Sequence, residues 1–150
     1  MKNMLFYKMR IEESKIKFDD DFDKDAKQNC PKIYVISKNK KIVYVGITNQ
    51  SIIKRFNYGV NSFSKPKNGY SGYKWLKNNA NYNLSICIFD LNRSKETDVY
   101  LEIIESEIAY LARNLDGQWP EYQNEIHFHE SNESQRNIAL DIMNKIKNKE

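Results

Sequence analysis

The hydrophobic positions of this chain recur with two periods, and the change of period predicts its elements. Ile33 to Ser37 and Ile42 to Thr48 are short runs rich in β-branched residues, joined by the polar stretch Lys-Asn-Lys-Lys. That pattern predicts a β-hairpin with Asn39 near its tip. A loop centred on Asn39 pairs Ile36 with Ile42 and Tyr34 with Tyr44, so that both rings share one face of the sheet. A slip of one residue would put them on opposite faces. Leu84 to Leu91 opens as a continuous apolar run, as expected of a central strand, and residues 4 to 11 suit either a strand or a short helix. From Thr97 the period lengthens. Leu101, Ile104, Ile108, Leu111 and Leu115 make a helical stripe, and Asp-Gly-Gln-Trp-Pro from Asp116 ends it in a turn. Glu125 to Glu130 reads as a short edge strand, and the segment from Ser131 as an amphipathic helix with Ile138, Ile142 and Ile146 on one side. The Thr48, Asn49, Gln50, Ser51 run supplies N-cap oxygens for a further helix in which Ile52, Ile53 and Phe56 face the sheet.

These elements predict an α/β (α+β) fold: a small mixed or antiparallel sheet opened by a hairpin and flanked by helices. The 150 residues suffice for one domain. We divide them into an N-terminal extension with the acidic connector Asp19 to Asp25 (1–30), a core (31–130) and a C-terminal helix packed on that core (131–150). Cys30 and Cys87 stand far apart without Cys-x-x-Cys spacing, which fits a reduced compartment. No apolar run approaches the ~18 residues needed to span a bilayer, and no secretory leader is evident, so a cytoplasmic location with no membrane partner is expected.

Charge sharpens the picture. The net charge is +4, yet every Asp and Glu lies outside Ala26 to Phe89. Within that interval Lys54, Lys65, Lys67 and Lys74 are interleaved with Tyr58, Tyr70 and Tyr73. Cations neutralise phosphates and flat rings stack on bases, so the block points to nucleic acid as the partner.

The order of elements, with Lys32-Ile33-Tyr34 on one strand, Tyr44-Val45-Gly46 on the next, and Ile-Ile-Lys-Arg-Phe ending at Phe56 after them, resembles the GIY-YIG nuclease family from about Lys32 to Asn124. The first tripeptide begins with Lys32 instead of glycine. Four residues after Arg55, where many members have histidine or tyrosine, this chain has Gly59, with Tyr58 one step earlier. The resemblance implies single-site, metal-dependent hydrolysis of a phosphodiester, most often in DNA, with Mg²⁺ or Mn²⁺ as the cofactor. An enzyme this short either works as a homodimer or cuts with low sequence specificity. The alternative is a non-catalytic nucleic-acid-binding module of the same fold.

The residue types suit the chemistry the resemblance implies. Phosphoryl transfer needs an activated water, a cation on the phosphate oxygens and stabilisation of the leaving oxygen. Arg55 can fork onto two phosphate oxygens. A phenol of pKa ~10 needs a neighbouring cation to serve as a base. With one available, Tyr34 or Tyr44 can take the proton of the attacking water while the other orients it, Tyr34 being preferred. A carboxylate should hold the metal. On the long helix Glu105 and Glu107 flank the apolar stripe on opposite sides while Glu102 points to solvent, and the family pattern favours Glu105, with Glu107 the alternative. Asn124, four residues after Pro120, matches a family asparagine that can steady a tyrosine or the phosphate. His127 and His129 share a face if their segment is a strand, but with Cys30 and Cys87 they do not have the spacing of a zinc motif.

Overall fold

The computed structural model describes residues 4–12, 15–17, 29–52, 81–123 and 126–148. Its strands are β1 (Met4–Glu12), β2 (Lys15–Lys17), β3 (Lys32–Lys38), β4 (Lys41–Thr48) and β5 (Tyr82–Phe89), followed by helices α1 (Lys95–Asp116) and α2 (Glu133–Asn148). The strands form one sheet in the order β2-β1-β5-β3-β4, every neighbouring pair antiparallel. The fold is α+β. The apolar run of β5 does occupy the centre of the sheet, where both of its faces must be covered. The N-terminal segment is a strand: β1 pairs with β5 from Met4↔Phe89 to Ile11↔Tyr82, so residues 4–12 belong to the same sheet as the core.

Alternation along the strands sorts the interior into two layers. Ile33, Val35, Ile42, Val45, Cys87 and Phe89 pack against Leu101, Ile104, Ile108 and Ala112 of α1 and Ile138, Ile142 and Ile146 of α2. The opposite face carries Met9, Ile11, Tyr34, Ile36, Val43, Ile52, Tyr82, Leu84, Ile86 and Ile88. The expected stripe of α1 holds except at its last member. Leu115 is 60% exposed, and Ala112 occupies the buried position instead. Ser94 caps α1 by accepting from Thr97 N at 3.0 Å, and Gly117 ends it at φ 81°, where a side chain would be strained. Residues 126–130 form no strand. They cross the outer side of α1: His129 Nε2 lies 3.0 Å from Glu102 Oε1, and Ser131 Oγ donates to Glu107 Oε2 at 3.0 Å.

Asp116 locks the hairpin to both helices. Its side chain is only 5% exposed. One carboxylate oxygen accepts from Ile42 N at 3.0 Å and the other from Lys147 Nζ at 2.5 Å, while Lys147 also donates to Lys40 O. Asp116→Ala should leave the Ile42 N–H without its acceptor and Lys147 without its carboxylate. A loss of about 3 kcal/mol is expected, measured as a lower urea midpoint at unchanged m. A midpoint within error of the original would show that water replaces the carboxylate at no cost.

Candidate active site

The hairpin sets the two tyrosines by a route the sequence did not disclose. Asn39 and Lys40 have φ of 53° and 67°, a two-residue turn with both central residues left-handed. The turn pairs Lys38 with Lys41 and Ser37 with Ile42, one step away from a loop centred on Asn39. That step alone would place the rings on opposite faces. A bulge between Ile36 and Ser37 restores the parity, because Val43 is extra and the ladder resumes as Ile36↔Tyr44, Val35↔Val45 and Tyr34↔Gly46. The expected Tyr34–Tyr44 and Ile36–Ile42 pairs are therefore corrected. The rings are diagonal neighbours, still on one face, with centroids 5.9 Å apart and planes inclined by 30°.

Tyr34 is fully buried, and its ring crosses over its true partner, Gly46. A Cβ at Gly46 would lie 2.4 Å from both Cζ and Oη of Tyr34. The glycine is thus the floor on which the hydroxyl end of Tyr34 rests, at the outermost strand of the sheet. Lys32, on the same side of β3, is also buried, and its Nζ donates to Cys30 O at 2.9 Å and Gln50 O at 3.2 Å. It ties the start of β3 to the chain leaving β4, just before the buried Ser51 and Ile52. Ile53, Lys54, Arg55, Phe56, Tyr58, Gly59, Lys65, Lys67, Tyr70, Tyr73 and Lys74 lie outside the described residues.

The free edge of β4 is capped beside this site. Tyr122 N donates to Val43 O at 2.8 Å, and Val45 N donates to Gln123 Oε1 at 2.9 Å. Asn124 itself is outside the described residues, but its neighbour Gln123 is fastened next to the Tyr44-Val45-Gly46 tripeptide. Tyr122 packs against the tyrosine face, and its phenol is pushed up to about 12 by burial and by the Tyr82 hydroxyl, which removes it as a base near neutrality.

Helix α1 approaches the same strand from the other face. Asp98 Oδ1 accepts from Asn49 Nδ2 at 3.2 Å beyond one end of β4, and Asp116 holds Ile42 N near the other. Glu105 follows Asp98 by seven residues and precedes Asp116 by eleven, which puts all three on one stripe of the helix. At about 1.5 Å per residue Glu105 lies about 10 Å along from Asp98, equivalent to about three strand residues from Asn49, level with Gly46. Helix α1 covers the face of the sheet opposite the two rings, so the Glu105 carboxylate and the phenols stand on opposite sides of β4. Glu107 lies on the other flank, accepting from Ser131. The two glutamates are therefore distinguished in position, and Glu105 is the one beside the glycine strand. Glu102 does not simply point to solvent, since it is paired with His129.

Burial, with the Glu102 charge second, pushes the Glu105 carboxyl up to about 7. A carboxyl held near neutrality is one whose ionised form a neighbouring cation would favour strongly. Mg²⁺ is commonly held by a single protein carboxylate with water and phosphate completing its shell, and Glu105 fits that role. Among the described residues no three His, Cys, Asp or Glu side chains gather into a metal cage. Cys87 is buried against the helices with its thiol pushed up to about 12, so it suits packing and not ligation.

No family model matches the chain, and no solved structure matches it. Among curated proteins, the tRNA-2-methylthio-N(6)-dimethylallyladenosine synthase of Buchnera aphidicola subsp. Cinara cedri (strain Cc) is 29% identical over 92 residues, 61% of this chain. The match spans 21% of that protein's length.

Proposed function

We propose that the protein is a metal-dependent endonuclease that hydrolyses nucleic-acid phosphodiesters, DNA foremost, at a single GIY-YIG-type site. The observation that carries this reading is the Tyr34 hydroxyl end resting on Gly46 of the edge strand and stacked on Tyr44. Tyr34 takes the proton of the attacking water. Tyr44 holds its partner's ring and orients the water or donates to phosphate. Arg55 forks onto the phosphate oxygens, and Asn124 steadies the tyrosines or the phosphate. Glu105 holds Mg²⁺ or Mn²⁺, which when bound stabilises charge on the phosphate and leaving oxygens. Lys54, Tyr58, Lys65, Lys67, Tyr70, Tyr73 and Lys74 bind the nucleic-acid backbone and bases. A binding module without activity would need those lysines and rings but gives no reason for a phenol packed over a glycine and stacked on a second tyrosine.

Tyr34→Phe tests the assignment, because it keeps the buried ring and deletes only the hydroxyl. Single-turnover cleavage should fall by about 10² or more, the usual contribution of a general base, at unchanged nucleic-acid affinity. Cleavage at the original rate would remove Tyr34 from the chemistry. The tRNA enzyme matched above makes a structured RNA the second substrate to try.

A further inference from the structure

A polar corner interrupts the helix-covered face of the sheet beyond the last turn of α2, and its composition suits an anion. Arg10 pairs with Asn83 and Asn83 with Ser37, so the three form one row across β1, β5 and β3. By strand alternation they lie on the face that elsewhere buries Val35, Cys87 and Phe89. With Lys8, Met9, Lys40 and Ile146 they line a cavity of about 290 Å³. We propose that this cavity binds a phosphate group. The Arg10 guanidinium, Asn83 amide and Ser37 hydroxyl serve as hydrogen-bond donors, and Lys8 and Lys40 add positive charge.

The arrangement meets the physical requirements of such a site. A guanidinium forks onto two phosphate oxygens, while amide and hydroxyl donors fix the remaining ones. Ser37 is only 4% exposed, so its hydroxyl is held in place by the sheet, and the row gives the donors a rigid spacing. The carbonyl end of α2 would oppose an anion, but Lys8 Nζ donates to Ile146 O at 3.3 Å, which offsets that end of the helix dipole, while Lys147 is paired with Asp116. The competing carboxylate is Glu12, 3.6 Å from an Arg10 side chain that is 68% exposed. This contact is loose enough to be exchanged for phosphate. The cavity lies on the face opposite Tyr34, so the inference does not depend on the nuclease reading. The phosphate belongs either to a nucleic-acid backbone passing this corner or to a free phosphate or phosphomonoester.

Titrating the ¹⁵N-labelled protein with inorganic phosphate at constant ionic strength should give saturable shifts at Ser37, Asn83 and Arg10. Arg10→Gln should weaken the apparent affinity about tenfold, the scale of one charge-assisted pair, and Asn83→Asp, at an exposed position, should abolish the shifts. An oligonucleotide without terminal phosphate that moves the same resonances and competes with phosphate supports the site and assigns it to a backbone. Shifts with phosphate and a phosphomonoester alone support the site and assign it to a free ligand. Non-saturable shifts, or affinity unchanged in both folded variants, overturn the proposal.

Discussion

Glu105→Gln is expected to lose cleavage and gain stability together. On the proposed role of Glu105 as metal ligand, its removal should cost several kcal/mol of transition-state stabilisation, about 10³-fold or more in single-turnover rate, while nucleic-acid binding is kept or tightened. The stability change has the opposite sign because the folded state raises this carboxyl from 4.5 to about 7. Between those values the folded chain retains a proton that the unfolded chain releases, so stability falls as pH rises through the window. Glutamine cannot ionise and escapes that cost. After allowance for residual exposure, the variant should be more stable by about 1–2 kcal/mol at pH 8, with the difference closing toward pH 5. Added Mg²⁺ should stabilise the parent and leave the variant unmoved. Glu107→Gln, which loses only the Ser131 contact on the other flank, should cut normally. Urea midpoints at the two pH values and one cleavage time course check all of this. If Glu107→Gln is dead and Glu105→Gln is active, the metal ligand is the other glutamate.

Gly46→Ala should be the most damaging single-methyl change near the site. The new Cβ would sit 2.4 Å from Cζ and Oη of Tyr34 and 2.9 Å from Cε1, below any tolerated contact. The ring has little room to retreat, being fully buried and stacked on Tyr44. Relief must come from moving the ring or the edge strand, at about 2–4 kcal/mol of stability. Cleavage should fall with it, because the hydroxyl is displaced from the strand edge. Combining Gly46→Ala with Tyr34→Leu tests the cause. With the phenol gone, the alanine should add little further destabilisation, whereas additive losses would mean that glycine is needed for some other reason.

Much of the fold was legible because each element buries one face. The period of α1 and α2, the hairpin and the central place of β5 all follow from where apolar residues recur. Leu115 and the 126–130 segment were misread because a periodic pattern continued without a face to bury. Leu115 continues the stripe into the last turn of α1, where Asp116 and not Leu115 makes the contact with β4, and the alternation of His127 and His129 belongs to a strap over α1, not to a strand. The hairpin register was hidden by backbone conformation: Asn39 and Lys40 both adopt positive φ, and a compensating bulge has no hydrophobic signature. The candidate site was legible at Tyr34, Tyr44 and Gly46, where ring and glycine types carry the geometry. Gln123, capping Val45 N, and the Asp98–Asn49 contact that orients the Glu105 stripe were not. Each is a polar side chain on a distant backbone or amide group, which periodicity does not register. The sequence showed Lys32 as the residue standing in place of a glycine in the first tripeptide, whereas its burial depends on carbonyls supplied by Cys30 and Gln50.

The most direct test is incubation of the full chain with supercoiled plasmid, with Mg²⁺, with Mn²⁺, and with chelator alone, following cleavage and gel shift on the same samples. Nicked or linear product is expected only with metal, and binding in every sample. Binding without cleavage under any metal condition would contradict the nuclease proposal and favour a binding module, and cleavage undiminished by chelator would contradict the role given to Glu105.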